Sequence, residues 1–224
     1  MIVRKGNIVF RKITVDDIEL VRNWRNSHHV KQYMAYRETI TPEMQLKWFH
    51  SINNVNNLYF VFEYKGEKIG VFNAKDIDWE KGSMETGIFI AVEKYIHTEL
   101  PLLAVLSFGD VGLRLFQMDI LAHILKSNTR ALRYNKLLGF EICPDQEAFE
   151  NQLYKLNKEK FFNRTKLLRP ALYKLMGVKD TVLHFNHEDI ESGLKDFLIS
   201  RIDKTFISDT VPDETGLTIK FIAI

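Results

Sequence analysis

The sequence predicts an α/β (α+β) chain in which an antiparallel hairpin feeds a strand–helix–strand–helix unit. Residues 58–73 hold two strand-like runs, Leu58 to Tyr64 and Lys68 to Asn73, separated by the turn Lys65-Gly66-Glu67. Residues 83–140 then read as a strand (SMETGIFIAV), a loop (EKYIHTE), an amphipathic helix (LPLLAVLSFGDVGLRLF), a strand (QMDILAHI) and a helix (KSNTRALRYNKLLGF) closing on Gly139. Composition agrees: 46% hydrophobic and 27% charged residues over 224 positions suffice for a sizeable core and argue against disorder.

The remaining elements follow in order. Ile8-Val9-Phe10 with Ile13 reads as a first strand. Thr14, with Asp17 three residues on, forms a capping-box pattern for a helix whose apolar stripe is Ile18, Val21 and Trp24. The segment Arg22 to His29 leads through Val30 and Met34 to a second helix at Thr41-Pro42-Glu43, a cap followed by proline at the tolerated first position. Gln152 to Phe161 alternates like a final strand. Beyond it, Arg164 to Met176 reads as a helix, Thr181 to Phe185 as a strand, and Asn186 caps an amphipathic helix carrying Ile190, Leu194, Phe197, Leu198 and Ile202. Leu217 to Ile222 is a last strand after the turn Pro212-Asp213-Glu214.

Several function classes are disfavoured. The net charge of +2, without a long Lys/Arg run, gives no case for nucleic acid. One cysteine, Cys143, leaves no internal disulfide and no multi-cysteine metal site. No H-x-x-H or HExxH pattern suggests a metal. No apolar leader or membrane-length apolar run is visible, so a cytoplasmic location without membrane attachment is expected.

The order ending in Asn128-x-Arg130-Ala131 and Gly139-Phe140 resembles the acetyl-CoA half of the GNAT N-acetyltransferase family. Leu20-Val21-Arg22-Asn23-Trp24-Arg25-Asn26, then Val30, Met34, Ile40, Trp48-Phe49 and Gly70-Val71, resemble more narrowly the branch that acetylates nucleotide-linked deoxyamino sugars, of the pseudaminic-acid type. The resemblance implies the acyl-CoA N-acyltransferase fold: a mixed, mostly antiparallel sheet flanked by helices, here with a small C-terminal α/β appendage. Residues 1–161 are then the acetyltransferase domain and 162–224 an extension, docked on the core or serving oligomerisation; a homodimer is one expectation.

The same resemblance implies the site. Family members carry glycines in the loop that receives the CoA pyrophosphate; here His97 and Glu99 occupy those positions and Pro101 follows, a degenerate loop in which Lys94, Thr98 and His97 are the available polar groups. Backbone groups of Ile90 and Val92, on a strand splayed from its parallel neighbour, are expected to meet pantetheine, as is Asn128, which also caps its helix. Where the family commonly has a tyrosine acid, this chain has Asn135, with Tyr134 one residue earlier and hence about 100° round the helix. Tyr134 is the candidate acid, with Asn135 beside it as a hydrogen-bonding partner for the thiolate. Glu85 and His50 are candidate bases. Arg25, Asn26, His28, His29, Met34 and Tyr36, expected in the loop after the first helix, shape the acceptor pocket, arginine suiting a nucleotide diphosphate and Met34 and Tyr36 a sugar or base face. The implied activity is acetyl transfer from acetyl-CoA to the primary amine of a small molecule such as an amino-sugar nucleotide. Its rival is a catalytically impaired GNAT-like domain that acts as a ligand-binding or assembly module.

Overall fold

The computed structural model describes residues 1–178 and 180–222. The strands are β1 (Ile2–Lys5), β2 (Ile8–Lys12), β3 (Leu58–Tyr64), β4 (Glu67–Asp78), β5 (Ser83–Ile90), β6 (Asp119–Leu125), β7 (Phe140–Ile142), β8 (Asn151–Leu156), β9 (Asp180–Asn186), β10 (Ile207–Asp213) and β11 (Gly216–Ile222). Among the described residues they form one sheet in the order β10-β11-β9-β1-β2-β3-β4-β5-β6-β8-β7. Every neighbouring pair is antiparallel except β5 with β6, so the sheet is mixed and mostly antiparallel.

Helices α1 (Ile18–Asn26), α2 (His28–Lys31) and α3 (Pro42–Ile52) cover one face. There Val21 packs with Ile13 and with Val61 and Val71 of the sheet, joined by Trp24, Trp48, Tyr59 and Phe89. The opposite face carries α4 (Leu100–Asp110), continued by a wide turn at Val111–Leu115, and a larger core. Phe108 of α4 stacks on Phe72 with ring centroids 3.8 Å apart and meets Phe10 edge-on at 4.6 Å. No helix among the described residues is long and apolar enough to cross a membrane.

Several elements differ from expectation. Arg25 and Asn26 lie on the last turn of α1 and His28 and His29 on α2, so none is in a loop. α4 is buried nearly all round instead of amphipathic, because α6 (Lys158–Thr165) and α7 (Leu168–Met176) cover its outer side. A methyl group at Gly109 would lie 2.7 Å from the Phe161 ring, which shows how closely α6 approaches. The strand expected to reach Phe161 stops at Leu156, since Asn157 caps α6 by accepting from the Lys160 amide at 3.0 Å. The helix expected from Asn186 to Ile202 is two pieces, α8 (His187–Glu191) and α9 (Leu194–Ile199), split at Gly193, whose φ of +76° belongs to the left-handed region. β1, β7 and β10 were not expected, so the strand at Ile8 to Phe10 is the second and not the first; β10 completes a hairpin with β11, which lies beside β9, itself paired to β1.

The start of α1 holds a buried ionic knot. Thr14 is followed by a single 3-10 turn, and Asp17, 1% exposed, accepts the Thr14 amide at 3.0 Å, a two-pronged contact from Arg11 at 2.8 Å each, and Lys68 at 2.8 Å. Burial by itself would raise the Asp17 carboxyl, but hydrogen bonds from Arg11, Lys68 and the Thr14 amide outweigh it and hold the group well below the usual carboxylate range. A carboxyl with a lowered folded value contributes stability fully above its unfolded value, about 3.9, and loses that contribution as the pH falls through the folded one. Urea unfolding should therefore show Asp17→Asn less stable than wild type at pH 7, with the gap narrowing below about pH 4. A gap that stays constant down to pH 2 would remove Asp17 from the acid-sensitive groups.

Candidate active site

Parallel pairing between β5 and β6 spans only Ser83↔Asp119, Met84↔Ile120 and Glu85↔Leu121. Beyond Glu85 the strands diverge, β5 staying on β4 while β6 follows β8. The ladder that bonds the Ala91 amide to the Ile69 carbonyl at 2.7 Å alternates along the strand, which turns the main-chain groups of Ile88 and Ile90 toward the open side. A groove of about 1490 Å³ runs through this seam, lined by residues from α1, α2, α3, β3 to β6 and α5 (Thr129–Leu138). Next to it a smaller hollow of about 70 Å³ lies between Thr86, Gly87 and Ile88 on one strand, Ile120 and Ala122 on the other, and Tyr134 and Asn135 of α5.

α5 begins where Asn128 accepts the Ala131 amide at 3.1 Å and ends at Gly139. Tyr134 and Asn135 both line the hollow, so the expected divergence of about 100° does not take Tyr134 out of the seam. The Tyr134 hydroxyl is buried with no partner among the described residues, and burial pushes the phenol well above the ordinary tyrosine range. Asn135, by contrast, donates to the Ala131 carbonyl of its own helix at 2.8 Å.

Glu85 sits at the apex of the split. One carboxylate oxygen faces Lys75 at 2.9 Å and the other His123 at 2.7 Å. Lys75 also pairs with Asp76 at 2.8 Å. His50 is exposed on α3 outside the groove, leaving Glu85 as the carboxylate among the expected bases that faces it.

The cofactor-side residues divide. Ile90, Thr98 and Asn128 line the groove. Val92 does not offer open backbone: its amide donates to Ile69 at 3.3 Å and its carbonyl accepts from Tyr95 at 3.0 Å. Lys94 is turned away onto Glu67 at 2.8 Å, where the Tyr95 hydroxyl also donates at 2.7 Å. The start of α4 is partly capped, with Thr98 accepting the Leu100 amide at 3.3 Å and Pro101 having none. His97 lines the groove, whereas Glu99 is exposed and is not part of the wall. Two cations reach the groove from α5: Arg130, part of the family-like pattern but given no role by the sequence, and Arg133, which was not foreseen; Arg130 donates to the Ile96 carbonyl inside the loop. Their i, i+3 spacing behind the Asn128 cap was the available signal.

On the acceptor side Arg25, Met34 and Tyr36 line the groove. Asn26 does not, because its amide clamps the Ile40 backbone through two 2.9 Å hydrogen bonds that set the loop before α3. His28 is exposed, and its neighbour His29 enters the groove wall by bonding the Ala91 carbonyl at 2.6 Å. Gln45, Trp48, Tyr59, Asn73 and His123 complete the wall and were not foreseen. They share a face only through strand register and helix docking, which a linear pattern does not carry.

No curated protein sequence matches the chain. Among solved structures, a nucleotide-linked sugar GNAT, apo FdhC, is similar at TM-score 0.61 and 16% identity, covering 75% of this chain and 96% of that one. A spermidine N-acetyltransferase SpeG chimera from Vibrio cholerae and hSSAT is similar at TM-score 0.58 and 18% identity, covering 70% and 99%. An uncharacterized protein from Bacillus halodurans is similar at TM-score 0.57 and 18% identity, covering 71% and 88%. At these identities the likeness is one of fold. The acetyltransferase (GNAT) domain family matches residues 7–141, more than half of the chain and the whole of the opened seam. The chain therefore belongs to the GNAT acetyltransferase family, whose members are acyl-CoA-dependent N-acyltransferases.

Proposed function

We propose that this protein transfers an acetyl group from acetyl-CoA to the primary amine of a small molecule, and that the acceptor is a nucleotide-linked amino sugar. The observation that carries the acetyl transfer is the β5–β6 seam, open beyond Glu85↔Leu121 beside a buried tyrosine hydroxyl with no partner among the described residues. Main-chain groups of Ile88 and Ile90 receive pantetheine there, with Asn128 and Thr98 at its edge. The loop is degenerate in glycine, and Arg130 and Arg133 supply the cations for the pyrophosphate instead, with His97 in the same wall. The neutral amine attacks the thioester carbonyl, a C–N bond forms and the C–S bond breaks. Glu85 takes the proton that the amine loses. Tyr134 hydrogen-bonds the departing sulfur as its charge develops, and the thiolate or the thiol leaves.

The acceptor class draws support from Tyr36 and Met34 in the groove lining, flat or polarizable surfaces suited to a base or sugar face, and from Arg25 in the same lining. FdhC, a nucleotide-linked sugar GNAT, shares the fold. Residues 1–161 form the acetyltransferase domain in this proposal, and 162–224 an extension that buttresses α4; a cytoplasmic homodimer acting on a small molecule completes it.

Calorimetric titration of acetyl-CoA tests the proposal. One-site micromolar binding is expected, and Arg130→Ala with Arg133→Ala should weaken it by roughly tenfold or more per charged contact. Absence of heat and of thermal shift at millimolar acetyl-CoA would sink the acetyl-transfer reading. The capped start of α4 favours the alternative in that event: a catalytically impaired ligand-binding or assembly module that keeps the acceptor groove.

A further inference from the structure

Among the described residues, three buried polar atoms with no hydrogen-bond partner line the groove: Nε of Arg25, Nε2 of Gln45 and Oδ1 of Asn73. Gln45 is only 3% exposed. Buried polar groups are nearly always satisfied, so three orphans on one concave surface mark a surface completed by something else. The other side-chain cation on this wall, Lys75, is engaged by Asp76 and Glu85. Arg25 has no carboxylate in ion-pair range among the described residues; burial works against its charge, and the opposing influence comes from the Tyr59 phenol alone. An arginine does not escape such a position by losing its proton.

The three atoms also have a direction. Arg25 comes from the last turn of α1 and Gln45 from α3, above a floor that includes Tyr59 of β3. Arg25 Nε is a donor, and the Gln45 amide, with no side-chain hydrogen bond among the described residues, can turn to donate beside it. Asn73 lies further toward the seam, its amide packed over Gly87, where a Cβ would stand 3.2 Å from Nδ2. Its amide can present an acceptor at that end.

We propose that this wall is an acceptor subsite in which Arg25, with the Gln45 amide turned to donate beside it, holds an oxyanion of the acceptor and Asn73 accepts a hydrogen bond from its amine. The ligand is thus an amine that carries its own phosphoryl or carboxylate group, and a polycation such as spermidine is the wrong class. The amine half rests on the acetyl-transfer reading, whereas the oxyanion half belongs to the ligand-free protein and is testable without acetyl-CoA.

The test is thermal denaturation of the full chain with uridine diphosphate, with alanine as a small amino carboxylate, and with spermidine, none in the presence of acetyl-CoA. Uridine diphosphate or alanine is expected to raise Tm, and whichever acts names the oxyanion; spermidine is expected to leave Tm unchanged. Arg25→Met should abolish the response and raise the ligand-free Tm, because it replaces a half-buried cation with no carboxylate in range by an apolar side chain of similar length. Gln45→Leu should weaken the anion by roughly tenfold in Kd without lowering Tm. No response to either anion, a response that survives Arg25→Met, or a stabilisation by spermidine would overturn the subsite. An anion response without acetyl-CoA binding would leave the subsite standing and remove the acetyl-transfer reading, so the two fail separately.

Discussion

Replacing Tyr134 by phenylalanine is expected to lower kcat about 10²-fold while acetyl-CoA affinity stays unchanged. The hydroxyl is buried in the seam with no partner among the described residues, so the substitution removes no internal hydrogen bond and leaves the ring to pack as before. On the proposed mechanism, what is lost is the donor to the departing sulfur. Because burial pushes this phenol upward, it stays protonated throughout the neutral range, and the rate should show no alkaline decline that disappears in the variant. Asn135→Ala is the control. Its amide already donates to Ala131, so its removal should change kcat little. Single-turnover acetylation with both variants separates them, and a Tyr134→Phe protein with wild-type turnover would assign the tyrosine to packing alone.

The largest expected loss of stability comes from Asp110→Ala, about 3–5 kcal/mol in urea unfolding. Asp110 lies at the end of α4, fully buried, and accepts Arg169 of α7 at 2.6 Å and the Tyr173 hydroxyl at 3.3 Å. Lys5 of β1, 1% exposed, approaches the same carboxylate at 3.7 Å and lies 4.1 Å from the Tyr173 ring centre. Arg114 reaches it at 3.6 Å. One carboxylate thus serves three cations, and its removal leaves positive charge in the interior without compensation. Burial lowers the affinity of Lys5 for its proton, and the nearby Asp110 charge opposes that effect. Since the cluster joins β1, α4 and α7, wild type should unfold in one transition. A loss below about 1 kcal/mol, or a separate early transition for residues 162–224, would show that the cluster does not tie the extension to the core.

Part of the site was legible because its signals are local. Asn128 as a cap, Gly139 as a helix end and the register of Glu85 within a strand need only neighbours in sequence, and each is where the residues suggest. Roles that depend on where a side chain turns were harder to read. Lys94 looks like a phosphate ligand in the linear sequence, yet Glu67 on β4 draws it away. Asn26 looks like a pocket residue, yet the backbone of Ile40 uses its whole amide. His123 and Asn73 carry no motif; they enter the groove because β6 and β4 present them on the same face as Glu85 and Gly87.

By itself the sequence determined the alternation of strands and helices, their caps, and the family likeness of the opened seam, since propensity, periodicity and capping act over a few residues. Only the tertiary structure decided that β9 and β11 continue the same sheet beyond β1, that α6 and α7 bury the outer side of α4, and that Arg25, Gln45 and Asn73 converge unpartnered. Those outcomes depend on pairing and docking between segments far apart in the chain. The free energy that selects them comes from apolar area and polar groups removed from water together, and no short window of residues contains both partners.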